Sequence, residues 1–104
     1  MPTAKGSFHR ESANRFIAVF VVDGIQVSYS ATVSPSMQPF TSNNATLTYD
    51  DVDDLTSTRG YEGRIGTDDF KLTIKNGPTI EGQLNVPGIS PAATVNGSGA
   101  WESN

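Results

Sequence analysis

The stretch Phe16–Val33, FIAVFVVDGIQVSYSATV, carries the reading of the fold. Asp23-Gly24 sits between two runs rich in β-branched and aromatic residues, which is the strongest short-range signal for a β-hairpin. The first run is apolar on both faces; the second alternates apolar with polar residues. With a two-residue turn, Phe16, Ala18, Phe20 and Val22 share a face with Ala31, Tyr29, Val27 and Ile25. Ile17, Val19 and Val21 then lie beside Ser30, Ser28 and Gln26. A three-residue loop, Val22-Asp23-Gly24, shifts every partner by one and puts Phe16 and Phe20 on the serine side. A slip of one residue normally exposes a whole apolar face. Here both registers are acceptable, because the first strand is apolar throughout.

A second hairpin, Asp69–Val86, specifies its own register. A three-residue loop Lys75-Asn76-Gly77 uses Gly77 as the glycine of a type I turn with a bulge. Leu72 then faces Ile80, Phe70 covers Gly82, and Lys71 meets Glu81 on the other face. The remaining strands are shorter readings: Lys5–His9; Ala45, Leu47 and Tyr49 alternating with threonines; a glycine-rich strand with Tyr61, Gly63 and Ile65; and a last strand from Ala93 to Trp101. Glu11–Asn14 reads as a turn. Ser34–Pro39 and Pro87–Pro91 read as loops, since proline cannot donate to a sheet ladder. Asp50-Asp51-Val52-Asp53-Asp54-Leu55 reads as a short helix near residues 51–58, capped by Asp50 or Asp51 and stopped at Gly60.

The sum is an all-β chain of about eight short strands, a small antiparallel barrel or a two-sheet sandwich, in one domain over residues 1–104. Glycines within strands suit sharp curvature and closure, which favours the barrel. Two glycines two residues apart, Gly97 and Gly99, imply a coiled strand or a floor on which an aromatic ring rests. The two hairpins are loosely alike, although any two hairpins share turn chemistry.

Composition bounds the function. The 104 residues carry a net charge of -4, with seven Lys and Arg scattered rather than clustered. That excludes the basic face needed for nucleic-acid backbones or anionic membranes. No cysteine occurs, so disulfides and thiolate metal sites are absent. The N-terminal MPTAKGSFHRES lacks the apolar core of a signal peptide, and no apolar run is long enough to span a bilayer. Residence in the cytoplasm, or export without a cleaved leader, is the expectation. The sequons at Asn44 and Asn96 read as chance matches in a chain rich in Asn, Ser and Thr.

No catalytic motif stands out. Asp50, Asp51, Asp53, Asp54, Asp68 and Asp69 supply oxygen ligands of the kind calcium takes, but their spacing matches no EF-hand loop, and a solvated helix start accounts for them. His9 is the sole histidine. It has no sequence-defined partner to orient it as a base. No metal or cofactor is expected. The segment Gly97–Trp101, GSGAW, resembles the Gly-X-Trp signature of calycin barrels such as lipocalins and avidins. Those signatures open their barrels, whereas this segment stands near the C-terminus, so no family residue is carried across.

The expected function is a non-catalytic binding protein whose barrel holds an apolar or amphipathic small ligand, or a carbohydrate, with contacts from Phe16, Phe20, Tyr29, Tyr61 and Trp101. Core packing is the plainer account for most of the aromatics. The alternative is a self-associating carbohydrate- or protein-binding module, a homodimer that uses the strand Phe16–Val22 as interface. A covering loop or helix over that strand is the third account of its surplus apolar side chains.

Overall fold

The computed structural model describes residues 2–33, 40–75, 77–85 and 93–103. Eight strands form one closed antiparallel barrel: β1 (Thr3–Ser12), β2 (Arg15–Val22), β3 (Ile25–Thr32), β4 (Thr41–Thr48), β5 (Thr58–Ile65), β6 (Asp69–Ile74), β7 (Thr79–Gln83) and β8 (Ala93–Ser103). Around the barrel the order is β1-β2-β3-β8-β5-β6-β7-β4. Each half of the chain is therefore a Greek key, with spatial orders 4-1-2-3 and 8-5-6-7. The halves meet at two seams, β3 on β8 and β7 on β4. The two hairpins that looked alike in sequence, β2–β3 and β6–β7, occupy equivalent places in the two keys. Closure removes the unpaired edges that a sandwich would leave.

The β2–β3 hairpin adopts the two-residue register, Val22 opposite Ile25, Phe20 opposite Val27, Ala18 opposite Tyr29 and Phe16 opposite Ala31. Asp23 and Gly24 both have positive φ, 52° and 80°, as a type I′ turn demands. The turn decides what the apolar pattern of β2 leaves open. Phe16, Ala18, Phe20 and Val22 point inward, and Ile17, Val19 and Val21 outward. The β6–β7 hairpin has the expected partners, Leu72 with Ile80, Phe70 with Gly82 and Lys71 with Glu81. Its loop is closed by Gly77 N–H donating to the Ile74 carbonyl at 2.9 Å.

The expected helix over 51–58 shrinks to a single 3-10 turn, Val52–Asp54. Asp51 caps it by accepting from the Asp53 N–H at 3.0 Å. The chain leaves it through Ser57, which has φ 69°, and enters β5 at Thr58. Gly60 lies inside β5 and stops nothing, because pairing with β6 and β8 on either side outweighs local helix preference there. The first strand runs further than expected, from Thr3 to Ser12, and the last reaches Ser103. The expected loops Ser34–Pro39 and Pro87–Pro91 and the turn residue Asn76 lie outside the described residues.

Inside, the barrel is filled by side chains: Phe8, Phe16, Phe20, Tyr29, Leu47, Tyr61, Ile65, Leu72, Ile74, Ile80 and Val95 are all essentially inaccessible. Outward rows are polar or charged on most strands, as with Glu62, Arg64, Lys71 and Glu81. No helix among the described residues is long and apolar enough to cross a membrane.

Candidate functional site

The five residues expected at a ligand site come together in the core. Phe16, Phe20, Tyr29 and Tyr61 are at most 1% exposed and Trp101 is 6% exposed. Phe16 meets Tyr61 edge-on at 5.2 Å between ring centroids, Tyr61 meets Tyr29 at 6.2 Å, and Tyr29 meets Trp101 at 4.8 Å. Phe8 continues the network from Phe16 to Phe70 and Phe40. Phe20 is buried beside them, outside the ring pairs. A ligand contact by these five would displace core rings.

The polar ends of the tyrosines are engaged. Tyr29 of β3 donates its hydroxyl to the Arg59 carbonyl of β5 at 2.7 Å, and Tyr61 of β5 donates to the Thr32 carbonyl of β3 at 2.8 Å. The strand between them is β8, so two reciprocal ties bridge one strand. Gly97 and Gly99 of β8 make room for this. A Cβ on Gly99 would lie 2.8 Å from the Tyr29 ring and one on Gly97 3.3 Å from the Tyr61 ring. The glycine floor is real, and the rings on it are the protein's own. Burial pushes the Tyr61 phenol up to about 12. Tyr29 rises further, from burial first and the neighbouring Tyr61 second, against a backbone hydrogen bond with Gly99 that works the other way. Among the described residues the Trp101 indole N–H, buried beside Tyr29, has no hydrogen-bond acceptor.

Among the described residues, an apolar concave surface lies at the end of the barrel. Where the β2–β3 turn approaches the 3-10 turn, a groove of about 150 Å³ is lined by Val22, Asp23, Ile25, Val27, Val52, Asp53, Leu55, Thr56 and Ser103. Leu55 is buried. Ile25 and Val52 are 47% and 44% exposed, and Val21, on the outer face next to the turn, is 60% exposed. These three are the exposed large hydrophobic residues among those described. Both charged residues of the lining, Asp23 and Asp53, are acids. Two other depressions lie on the outer wall around Gly82 and Gly63, lined by side chains of both signs such as Arg64, Lys71 and Glu81.

Sequence reading missed Ile25, Val52, Leu55 and Ser103 as groove residues. The available signal was the pair Val52 and Leu55, apolar positions three apart inside the aspartate run, which a solvated helix start does not need. The aspartates do not gather: among the described residues no group of three or more His, Asp or Glu is placed to hold a metal ion. His9 sits half-buried on β1, between Ile17 of β2 and Thr41 of β4. No family model matches the chain, and no curated protein or solved structure matches it.

Proposed function

We propose that this chain is a non-catalytic binding module that receives an apolar or amphipathic group at the end of the barrel, in the groove between the β2–β3 turn and the 3-10 turn. The observation that carries the reading is where apolar surface remains: Ile25 and Val52 stand open at the groove over a floor of Val22, Val27 and Leu55, while the aromatic interior is closed by its own rings. Single exposed hydrophobics are ordinary, but a concave group of them with polar neighbours is the usual form of a contact site.

The test is chemical-shift mapping with cyclohexanol, a small ring with one hydroxyl. The expected result is saturable shifts confined to Val22, Ile25, Val52, Leu55 and Ser103, lost in an Ile25→Ser/Val52→Ser variant that keeps its melting temperature. Shifts spread over the surface, or unchanged in that variant, would sink the reading.

A second reading is favoured by the outer face of β2. Ile17 and Val19 are half-buried and Val21 is exposed, between the serines Ser28 and Ser30 of β3 and Ser7 and His9 of β1. Packing two such stripes together would make a homodimer. Light scattering separates the readings: a monomer at 100-fold dilution and at high concentration alike removes self-association.

A further inference from the structure

The groove at the barrel end is small, and its charge has one sign. Binding pockets for whole small molecules run from roughly 300 to 1,000 Å³. At about 150 Å³ this one takes an apolar side chain or two, and leaves the rest of any partner outside. The two charged side chains of its lining are acidic. Asp23 and Asp53 are in the lining, both exposed, and Asp50 and Asp51 are exposed one turn away in sequence. One cation stands next to the rim without lining the groove: Arg59 donates its Nε–H to the carbonyl of groove-lining Thr56 at 3.2 Å and is tied there.

On the reading of the groove as the contact site, we infer that its occupant is a polypeptide segment that inserts an apolar side chain and carries lysine or arginine on either side of it. Apolar insertion supplies affinity, and the flanking cations meet Asp23 and Asp53 at the rim. Complementary rim charges act chiefly on selectivity and association rate. The net charge of -4 draws cationic partners from a distance in the same sense. An acyl chain is a poorer match, since its length exceeds a pocket of this volume. A sugar is poorer too, since the floor is aliphatic, with Val22, Val27 and Leu55 and no aromatic ring on which a pyranose could stack.

The experiment uses three blocked hexapeptides: Lys-Lys-Ile-Leu-Lys-Lys, the same peptide with Glu for every Lys, and the same peptide with Ser for Ile and Leu. Binding is followed by chemical-shift mapping and by Trp101 emission, Trp101 being the next inward position along β8 from groove-lining Ser103. The basic apolar peptide is expected to shift the groove residues, and to bind about tenfold more tightly than either control at an ionic strength on the order of 10 mM. An Asp23→Asn/Asp53→Asn variant is expected to weaken it about fivefold. Neither change threatens the fold: Asn-Gly is a favoured type I′ turn, and the Asp51 cap uses only the backbone of Asp53.

Equal binding of the acidic peptide, or no loss in the double variant, would overturn the basic-segment inference while leaving the groove standing. Binding to vesicles of cationic lipid without binding to the basic peptide would overturn it as well. Failure of all three peptides and of cyclohexanol to shift any groove residue would overturn the groove itself.

Discussion

Tyr29 and Tyr61 hold β3 and β5 together over β8, and their hydroxyls make this a measurable contribution. Each hydroxyl donates to a backbone carbonyl in a part-buried setting. Tyr29→Phe or Tyr61→Phe removes the donor and costs that carbonyl one hydrogen bond, a loss of about 1 kcal/mol at neutral pH. The same residues set an alkaline limit. A phenol that titrates higher in the folded than in the unfolded chain keeps its proton more firmly when folded. Its stabilising contribution is therefore complete below the unfolded value near 10, and is lost as pH rises through the window up to about 12 for Tyr61. Urea midpoints measured from pH 8 to pH 12 should be level and then fall, and the fall should be shallower in Tyr61→Phe. A parallel decline in wild type and variant would show that the phenol is not responsible. Beneath the rings, Gly99 has no room for a side chain: an added Cβ would lie 2.6 Å from both the Ala31 Cβ and the Ser30 carbonyl oxygen. Gly99→Ala should cost about 2–3 kcal/mol by forcing β3 and β8 apart. A variant within 0.5 kcal/mol of wild type in urea would contradict this packing.

At the scale of elements, the turns decide more than the strands do. Gly24, at φ 80° with open space around it, is needed for its backbone conformation alone. Gly24→Ala should therefore cost about 1 kcal/mol, and Asp23→Asn should be neutral or mildly stabilising, both read from the thermal midpoint. Such turn chemistry is local, which is why both hairpins were legible in the sequence and why the partners Leu72 with Ile80 and Phe70 with Gly82 follow from the sequence alone. The β2–β3 register was not legible, because Ile17, Val19 and Val21 are as apolar as Phe16, Ala18 and Phe20. Only the positive φ of both Asp23 and Gly24 separates the two registers. The aspartate run misled for a related reason. Its caps and charges suit a helix start, but β5 claims the residues after Ser57 by pairing on both sides. That pairing leaves one 3-10 turn to carry Val52 and Leu55 to the groove. The tyrosine ties were out of reach of any pattern, since each joins residues about thirty apart, Tyr29 to Arg59 and Tyr61 to Thr32. The five aromatic residues singled out do converge, yet sequence periodicity cannot distinguish a ring lining a cavity from a ring filling it.

For the whole molecule, the decisive feature is that neither Greek key is closed without the other. Among the described strands, ladder pairing joins the first half to the second at β3 on β8 and β4 on β7, with partners such as Tyr29 with Trp101 and Leu47 with Ile80. The core ignores this division: Phe8 of the first key stacks on Phe70 of the second at 4.3 Å, and Phe16 meets Tyr61. A half alone would present two unpaired strand edges and one wall of a core with nothing opposite it, which is not a stable state in water. Unfolding should accordingly be one cooperative transition. Trp101 emission reports the β3–β8 seam, and far-UV circular dichroism reports the whole ladder. Their urea curves should coincide in midpoint and slope, and Leu47→Ala, on the opposite seam, should move both together by about 2–4 kcal/mol. Separated curves, or a Leu47→Ala variant that shifts the dichroism and spares Trp101, would mean that the keys fold as independent units joined by their seams.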